Sequence, residues 1–352
     1  MSSSLRPRSA RFWKLNSIFL NLSTFILKIP IGFILGSVCS EIFIVCPPSS
    51  DNGRMNTIRK VNASAGIQWL RGSVTLLQRA PLALAGLGVL WGTCIWLLSA
   101  LALWVPVLNL PLQLLLFLIG PLFMGGMLWA LREVERGQPA KPAHLLQGLS
   151  NGRLPQLLVT LLPQLLAVIV LYMLMWLFMG EEGLQQIASV ITQLDELGRA
   201  GGEPDPAQVQ ALVSSLPSAQ IALWLLSVLL ICTLTGVLLF IMLPQVMFEP
   251  VSGWQALRRS VHASSHNLAA MLVFLLLLGV VLGVVYFAAL IVMLVLMAVL
   301  GQALALVLTQ IGLMAVLMPL IAGAMYMAWK QMLAQPGETG TPPPLVNHVF
   351  EA

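Results

Sequence analysis

APLALAGLGVLWGTCIWLLSALALWVPVLNLPLQLLLFLIGPLFMGGMLWAL, residues 80–131, contains no Asp, Glu, Lys or Arg. As one helix rising 1.5 Å per residue it would measure roughly 78 Å, whereas about 20 residues cross a hydrocarbon core about 30 Å thick. Pro106, Asn109 and Pro111 stand in its middle and mark a turn. The run therefore reads as a hairpin of two spans, near 82–104 and 110–131. Working outward, the stretch 154–179 fits one span and 221–248 another. No formally charged residue lies between Ser260 and Trp329, so two more spans fit there, near 268–298 and 303–329, with Gly301 and Gln302 at the turn. The expected fold class is all-α: a polytopic transmembrane helical bundle. Its six core spans form three hairpins, each preceded by a short amphipathic interfacial helix.

Composition agrees. Of 352 residues, 58% are hydrophobic and 9% charged, and the mean hydropathy is +0.91, far outside the soluble range. The 18 Lys+Arg and 13 Asp+Glu are too few to solvate a globule of this size, which excludes a soluble enzyme. A pI near 9.3 does not indicate nucleic-acid binding, because the basic residues lie before Met55 or flank apolar runs. The Leu, Ala, Val, Met and Gly content suits helices, and no ten-residue alternation of the outer-membrane barrel type occurs.

Basic residues also predict orientation. Arg59, Lys60, Arg71, Arg79, Arg132, Arg136, Lys141, Arg153, Arg258, Arg259 and Lys330 fall on one side of the six spans, and Arg199 alone on the other. The positive-inside rule then places both ends of the core in the cytoplasm of a bacterial cell with an inner membrane. The acidic loop 180–220 faces outward; within it, Leu184, Ile187, Ile191, Leu194 and Leu197 recur at helical spacing, and Asp205-Pro206 opens a second short helix. The first 54 residues disturb this parity if they cross once. They are read as an extension ahead of a natural start at Met55, the alternative being a non-spanning interfacial segment, so the membrane domain is expected over 55–334. Residues 335–352 are expected to form a disordered cytoplasmic tail.

An internal repeat is visible. GIQWLRGSV (66–74) and GWQALRRSV (253–261) match at Gly66/Gly253, Gln68/Gln255, Leu70/Leu257, Arg71/Arg258, Ser73/Ser260 and Val74/Val261. At the hairpin ends, PLFMGGMLWALR (121–132) parallels PLIAGAMYMAWK (319–330). The order is the same in both, which argues for a parallel repeat of one basic helix plus one hairpin. HLLQGLSNGRLPQLL (144–158) opens the middle unit, where Pro244 takes the place of Pro121 and Pro319. G-x-x-W-L-R-G near the start, a Pro-rich first hairpin and GPLFMGGMLWALREVERGQPAKPAHLLQGL (120–149) resemble a family of uncharacterised proteobacterial multi-span inner-membrane proteins over roughly 58–334. More distantly, 253–261 resembles a helix in the membrane domain attached to some glycerophosphodiester phosphodiesterases. The catalytic carboxylates and metal ligands of those enzymes lie in a separate soluble domain without counterpart here, so no enzymatic role carries over.

The predicted span interiors hold no Asp, Glu, Lys, Arg or His, which counts against ion-coupled transport. Polar residues there are Gln113, Thr160, Gln164, Gln245, Gln302, Thr309 and Gln310. Gln113, Gln164, Gln245 and Gln310 are candidates for interhelical polar contacts, since a proline frees a carbonyl that a neighbouring amide can satisfy. Gly88/Gly92 and Gly279/Gly283 form G-x-x-x-G pairs, suited to close packing within the chain or to a homo-oligomer. Arg71, Arg258, Arg259 and His262 are candidate contacts for anionic lipid. Their helices can lie along the interface, with Ile67, Leu70, Val74 and Leu77 toward the acyl chains. His262 and His266 lack a third metal ligand nearby, and Cys39, Cys46, Cys94 and Cys232 lack CxxC spacing. No catalytic residue, cofactor or metal is expected. Expected partners are membrane lipids and an envelope protein at the outer loop, with no nucleic acid. Two function classes remain: a non-enzymatic scaffold or lipid-interacting protein, and a passive or lipid-type transporter.

Overall fold

The computed structural model describes residues 58–199 and 205–333. The proposed extension 1–54 and the tail lie outside the described residues. Helices run in the order α1 (Ala65–Arg79), α2 (Pro81–Trp104), α3 (Asn109–Glu135), a 3-10 turn (Pro142–Leu146), α4 (Gln147–Ser150), α5 (Leu154–Val159), α6 (Leu161–Arg199), α7 (Pro206–Ser214), α8 (Ser218–Phe248), α9 (Gly253–His266), α10 (Leu268–Leu300) and α11 (Gln302–Met332). There is no strand among the described residues. Six stretches are long and apolar enough to cross a membrane: α2, α3, residues 154–194 through α5 and α6, α8, α10 and α11. The chain is all-α, with the composition of an integral membrane protein.

Local chemistry sets the helix limits. Pro81 opens α2 at a position whose N–H needs no partner, and Gly301, at φ 82°, takes the chain from α10 into α11. Glu249 caps α8 in an extended conformation, as the residue before Pro250 must. Gly180, at φ 61° and ψ −173°, breaks α6, so the charged stretch beyond it is a separate helical arm. The Asp205 carboxylate accepts the Ala207 N–H at 3.0 Å and starts α7.

Packing is organised around α3, α8 and α11, which touch one another. α2 lies against α3 and α11, α6 against α8, and α10 against α11. The lead-in segments dock in cyclic order. α1 rests on α11 and α10, the segment from the 3-10 turn through α5 rests on α3, and α9 rests on α8. Each lead-in thus leans on the closing helix of the preceding pair, with α1 leaning on the last.

Two serines fasten this arrangement. Ser73 Oγ donates to the Leu320 carbonyl of α11 and Ser260 Oγ to the Leu238 carbonyl of α8, both at 2.5 Å. Glycines allow the approach: a Cβ on Gly66 would stand 2.5 Å from the Ala270 carbonyl oxygen, and one on Gly253 would stand 2.5 Å from the Val159 Cβ. Residues 66–76 and 253–263 repeat the same order of buried, half-buried and exposed positions throughout.

The core is concentrated toward one end. Trp69, wholly buried on α1, packs on Phe240 and Phe274 with centroids 6.1 and 5.9 Å away, and those two rings lie 4.7 Å apart. Further along, large apolar side chains such as Leu226, Leu229 and Leu230 on α8 and Val284, Phe287 and Ile291 on α10 are exposed, as suits helices whose solvent is lipid.

Candidate functional site at the basic end of the bundle

Where α3, α8 and α11 end together, aromatic rings close the space between them. Phe248 is 4.9 Å from Trp329 and 5.7 Å from Tyr326, and Trp129 is 6.3 Å from Phe248. The Arg132 guanidinium sits 5.0 Å over the Phe248 ring and 5.7 Å over Trp129.

Charged groups buried here are paired. Glu249, 6% exposed, accepts the Trp329 indole N–H at 2.8 Å on Oε1 and Arg259 Nη1 at 3.0 Å on Oε2. Its backbone carbonyl accepts Arg153 Nη1 at 2.9 Å. One residue therefore joins α8, α9, α11 and the chain ahead of α5. Glu135 receives Lys330 Nζ on one oxygen and the Tyr326 hydroxyl on the other, both at 2.6 Å, linking α3 to α11. Nearby, the Lys141 N–H donates to His144 Nδ1 at 3.2 Å, and burial, the largest effect, lowers the His144 pKa below its ordinary value; Glu133 raises it and Lys141 lowers it.

The structure separates the four candidate lipid contacts. Arg71 and Arg258 occupy equivalent exposed positions on α1 and α9, Arg258 with its guanidinium 5.3 Å over the Trp254 ring. Arg259 turns inward instead, because the buried Glu249 carboxylate requires an opposite charge. His262 meets His266 edge to face, with ring centroids 4.3 Å apart. Beside Arg71, Ile67 and Val74 are exposed and form an outward apolar stripe; Trp254 and Val261 do the same beside Arg258. A second, inward face of α1, made by Gly66, Trp69, Ser73 and Leu76, is buried against the bundle. Two-way amphipathic reading of the sequence misses that face.

None of the four candidate glutamines, Gln113, Gln164, Gln245 and Gln310, bonds to a side chain on another helix among the described residues. Gln113 and Gln310 are exposed without a hydrogen-bond partner among the described residues, and Gln164 Nε2 reaches only Thr160 of its own turn, at 3.4 Å. Gln245 is fully buried on α8, and neither its oxygen nor its nitrogen has a partner. Serine hydroxyls reach helix carbonyls on a neighbour instead, and their signal was the match of Ser73 with Ser260.

Of the glycine pairs, Gly88 and Gly92 face Met314, Ala315 and Ile311 of α11, whereas Gly279 and Gly283 meet nothing within 4 Å. Cys94 and Cys232 are free thiols. No group of three His, Cys, Asp or Glu side chains able to hold a metal occurs among the described residues. No family, curated protein or solved structure matches this chain.

Proposed function

We propose that the chain is a non-enzymatic, multi-pass protein of the bacterial inner membrane, with both ends of its core cytoplasmic. It holds acidic lipid at its cytoplasmic face and organises envelope components there. The observation that carries this reading is the pair of matched outward surfaces on α1 and α9. Each sets an exposed arginine, Arg71 or Arg258, beside an exposed apolar stripe, while the opposite face is anchored in the bundle. A helix held in that way offers its apolar side to acyl chains and its cation to headgroups. The closed aromatic end between α3, α8 and α11 supports a scaffold over a conduit.

The motif resemblance to multi-span inner-membrane proteins supports the same class. A passive lipid-type transporter is the second reading. It is favoured by one observation: α8 and α10 touch at Phe240 and Phe274, yet Gly279 and Gly283 further along α10 face open space.

The test is purification of the tagged full chain from native membranes, with crosslinking, pull-down and lipid mass spectrometry. Replacing Arg71 and Arg258 together by Gln is expected to lower copurifying phosphatidylglycerol or cardiolipin with topology unchanged. Unchanged lipid content, or inverted topology, refutes the lipid reading and leaves the arginines as topology anchors.

A further inference from the structure

A cavity of about 560 Å³ opens at the basic end between the start of α1 and the end of α11, lined by Arg59, Ser64, Gln68, Lys330 and Gln331 among others. Its walls are held in place. The Arg59 N–H donates to the Met332 carbonyl at 3.0 Å, and its carbonyl accepts Asn267 Nδ2 at 3.2 Å. Asn267 Oδ1 in turn accepts the Val61 N–H at 2.8 Å. The short lead-in carrying Arg59 is thus pinned to both α11 and the α9–α10 junction.

A chain of three side chains sets the polarity of this cavity. An indole nitrogen can only donate, so the bond from Trp69 Nε1 to Gln331 at 2.8 Å commits the Gln331 oxygen to the interior. Gln331 must then offer its NH2 outward, and it donates to Gln68 Oε1 at 3.2 Å. With its oxygen accepting from Gln331, Gln68 keeps its whole NH2 free for the cavity it lines. The remaining polar side chains lining it are the Arg59 guanidinium and the Lys330 ammonium, which only donate, and the Asn62 amide and Ser64 hydroxyl, which can donate or accept. Lys330 is balanced by Glu135 at 2.6 Å, whereas Arg59 forms no ion pair among the described residues. Donors dominate and the charge is positive, which is the chemistry of an anion site. A planar guanidinium beside amide N–H groups suits the oxygens of a phosphate.

We infer that this cavity binds the phosphodiester headgroup of an acidic phospholipid, through Arg59, Gln68, Gln331 and Lys330. The inference rests on the lipid reading above and deepens it. Lipid rather than soluble phosphate is favoured by position, since Gln68 follows Ile67, the exposed apolar residue that opens the outward stripe of α1.

The experiment uses the full-length protein in a maltoside detergent, titrated with dihexanoyl-phosphatidylglycerol, with dihexanoylglycerol, which lacks the phosphate, and with inorganic phosphate. Saturable binding of phosphatidylglycerol is expected, with little binding of the other two. Arg59→Gln leaves the backbone bonds of Arg59 intact and is expected to weaken binding about tenfold or more, as loss of a charge-assisted hydrogen bond requires. Gln68→Glu keeps the acceptor for Gln331 but turns the free donor into a carboxylate, and is expected to abolish binding; Arg59→Lys restores part of it. Thermal midpoints of the variants report folding separately.

Wild-type affinity in both folded variants overturns the site. If lipid still copurifies in an Arg71- and Arg258-dependent way, the broader lipid reading survives that failure. Preferential binding of inorganic phosphate overturns the lipid assignment, and equal binding of dihexanoylglycerol overturns the phosphate chemistry.

Discussion

Two identical G-x-x-x-G spacings lie in opposite surroundings, and substituting alanine into each gives opposite expectations. A Cβ on Gly88 would sit 2.5 Å from the Met314 carbonyl oxygen and 2.7 Å from the Ala315 Cα, both backbone atoms of α11. Neither can rotate away, so α2 and α11 must separate by roughly an ångström to restore ordinary contact, and overpacking of this kind costs about 1–3 kcal/mol. The separation also loosens Gly92 against Ile311 and Met314, so the upper part of that range applies. Alanine's better helix propensity returns about 1 kcal/mol, leaving Gly88→Ala less stable by roughly 2 kcal/mol. Gly279→Ala meets nothing within 4 Å and gains the propensity without the clash. Thermal unfolding of purified protein, followed by fluorescence-detected size exclusion, is expected to show a midpoint several degrees lower for Gly88→Ala. Gly279→Ala should match or exceed the parent. Parent-like stability of Gly88→Ala refutes the close crossing of α2 and α11, and an equal loss for Gly279→Ala refutes the open face on α10.

Removing either docking hydroxyl, by Ser73→Ala or Ser260→Ala, is expected to lower stability by about 1 kcal/mol, and the double variant by the sum, because the two bonds share no partner. A marked departure from additivity in denaturant titrations would contradict independent docking of α1 and α9. Glu249→Ala leaves Arg259 and the Trp329 indole without their acceptor and should cost about 3–5 kcal/mol, whereas Glu249→Gln keeps a neutral acceptor and should cost less. The same titrations rank the pair. Burial lowers the His144 pKa, so its neutral form contributes stability that is present above its unfolded value of 6.5 and is lost as pH falls through the lower folded value. Midpoints at pH 7.5 and 5.5 should fall further apart in the parent than in His144→Gln. Alkaline-phosphatase fusions at Gly202 and Pro336 are expected to be active and silent respectively; equal activity removes the topology.

Sequence reading reached the helices because charge placement and length decide them. The expected spans at 82–104 and 303–329 became Pro81–Trp104 and Gln302–Met332, and Gly301 turned the chain as its position between apolar runs implied. The site was legible only in part. Glu249 was invisible as a structural centre because it stands at the edge of an apolar run, and nothing local shows that Arg153, Arg259 and Trp329 return to it from up to 96 residues away. Which polar side chains bond between helices was hidden for a related reason. Proline position tells which carbonyl is freed, that of Ala315 before Pro319 and of Phe240 before Pro244, but the serines on α1 and α9 bond other carbonyls, those of Leu320 and Leu238, where the lead-in helices cross.

Cyclic docking connects these features. A lead-in helix buries one face on a neighbour's closing helix and leaves another exposed, so three sides of one short helix carry different work. On α1 the inward side is Gly66, Trp69 and Ser73, the outward apolar side Ile67 and Val74, and the polar side Gln68 and Arg71. Trp69 belongs to two of these tasks, since its ring fills the core against Phe240 and Phe274 while its N–H fixes Gln331 and, through it, the free donor of Gln68. On α9 the equivalent position is Ala256, which fills its place but can orient nothing. The two lead-ins therefore share their outward stripe and arginine yet differ in polarity control. The donor-rich cavity forms beside α1, where an indole is available to aim the amides.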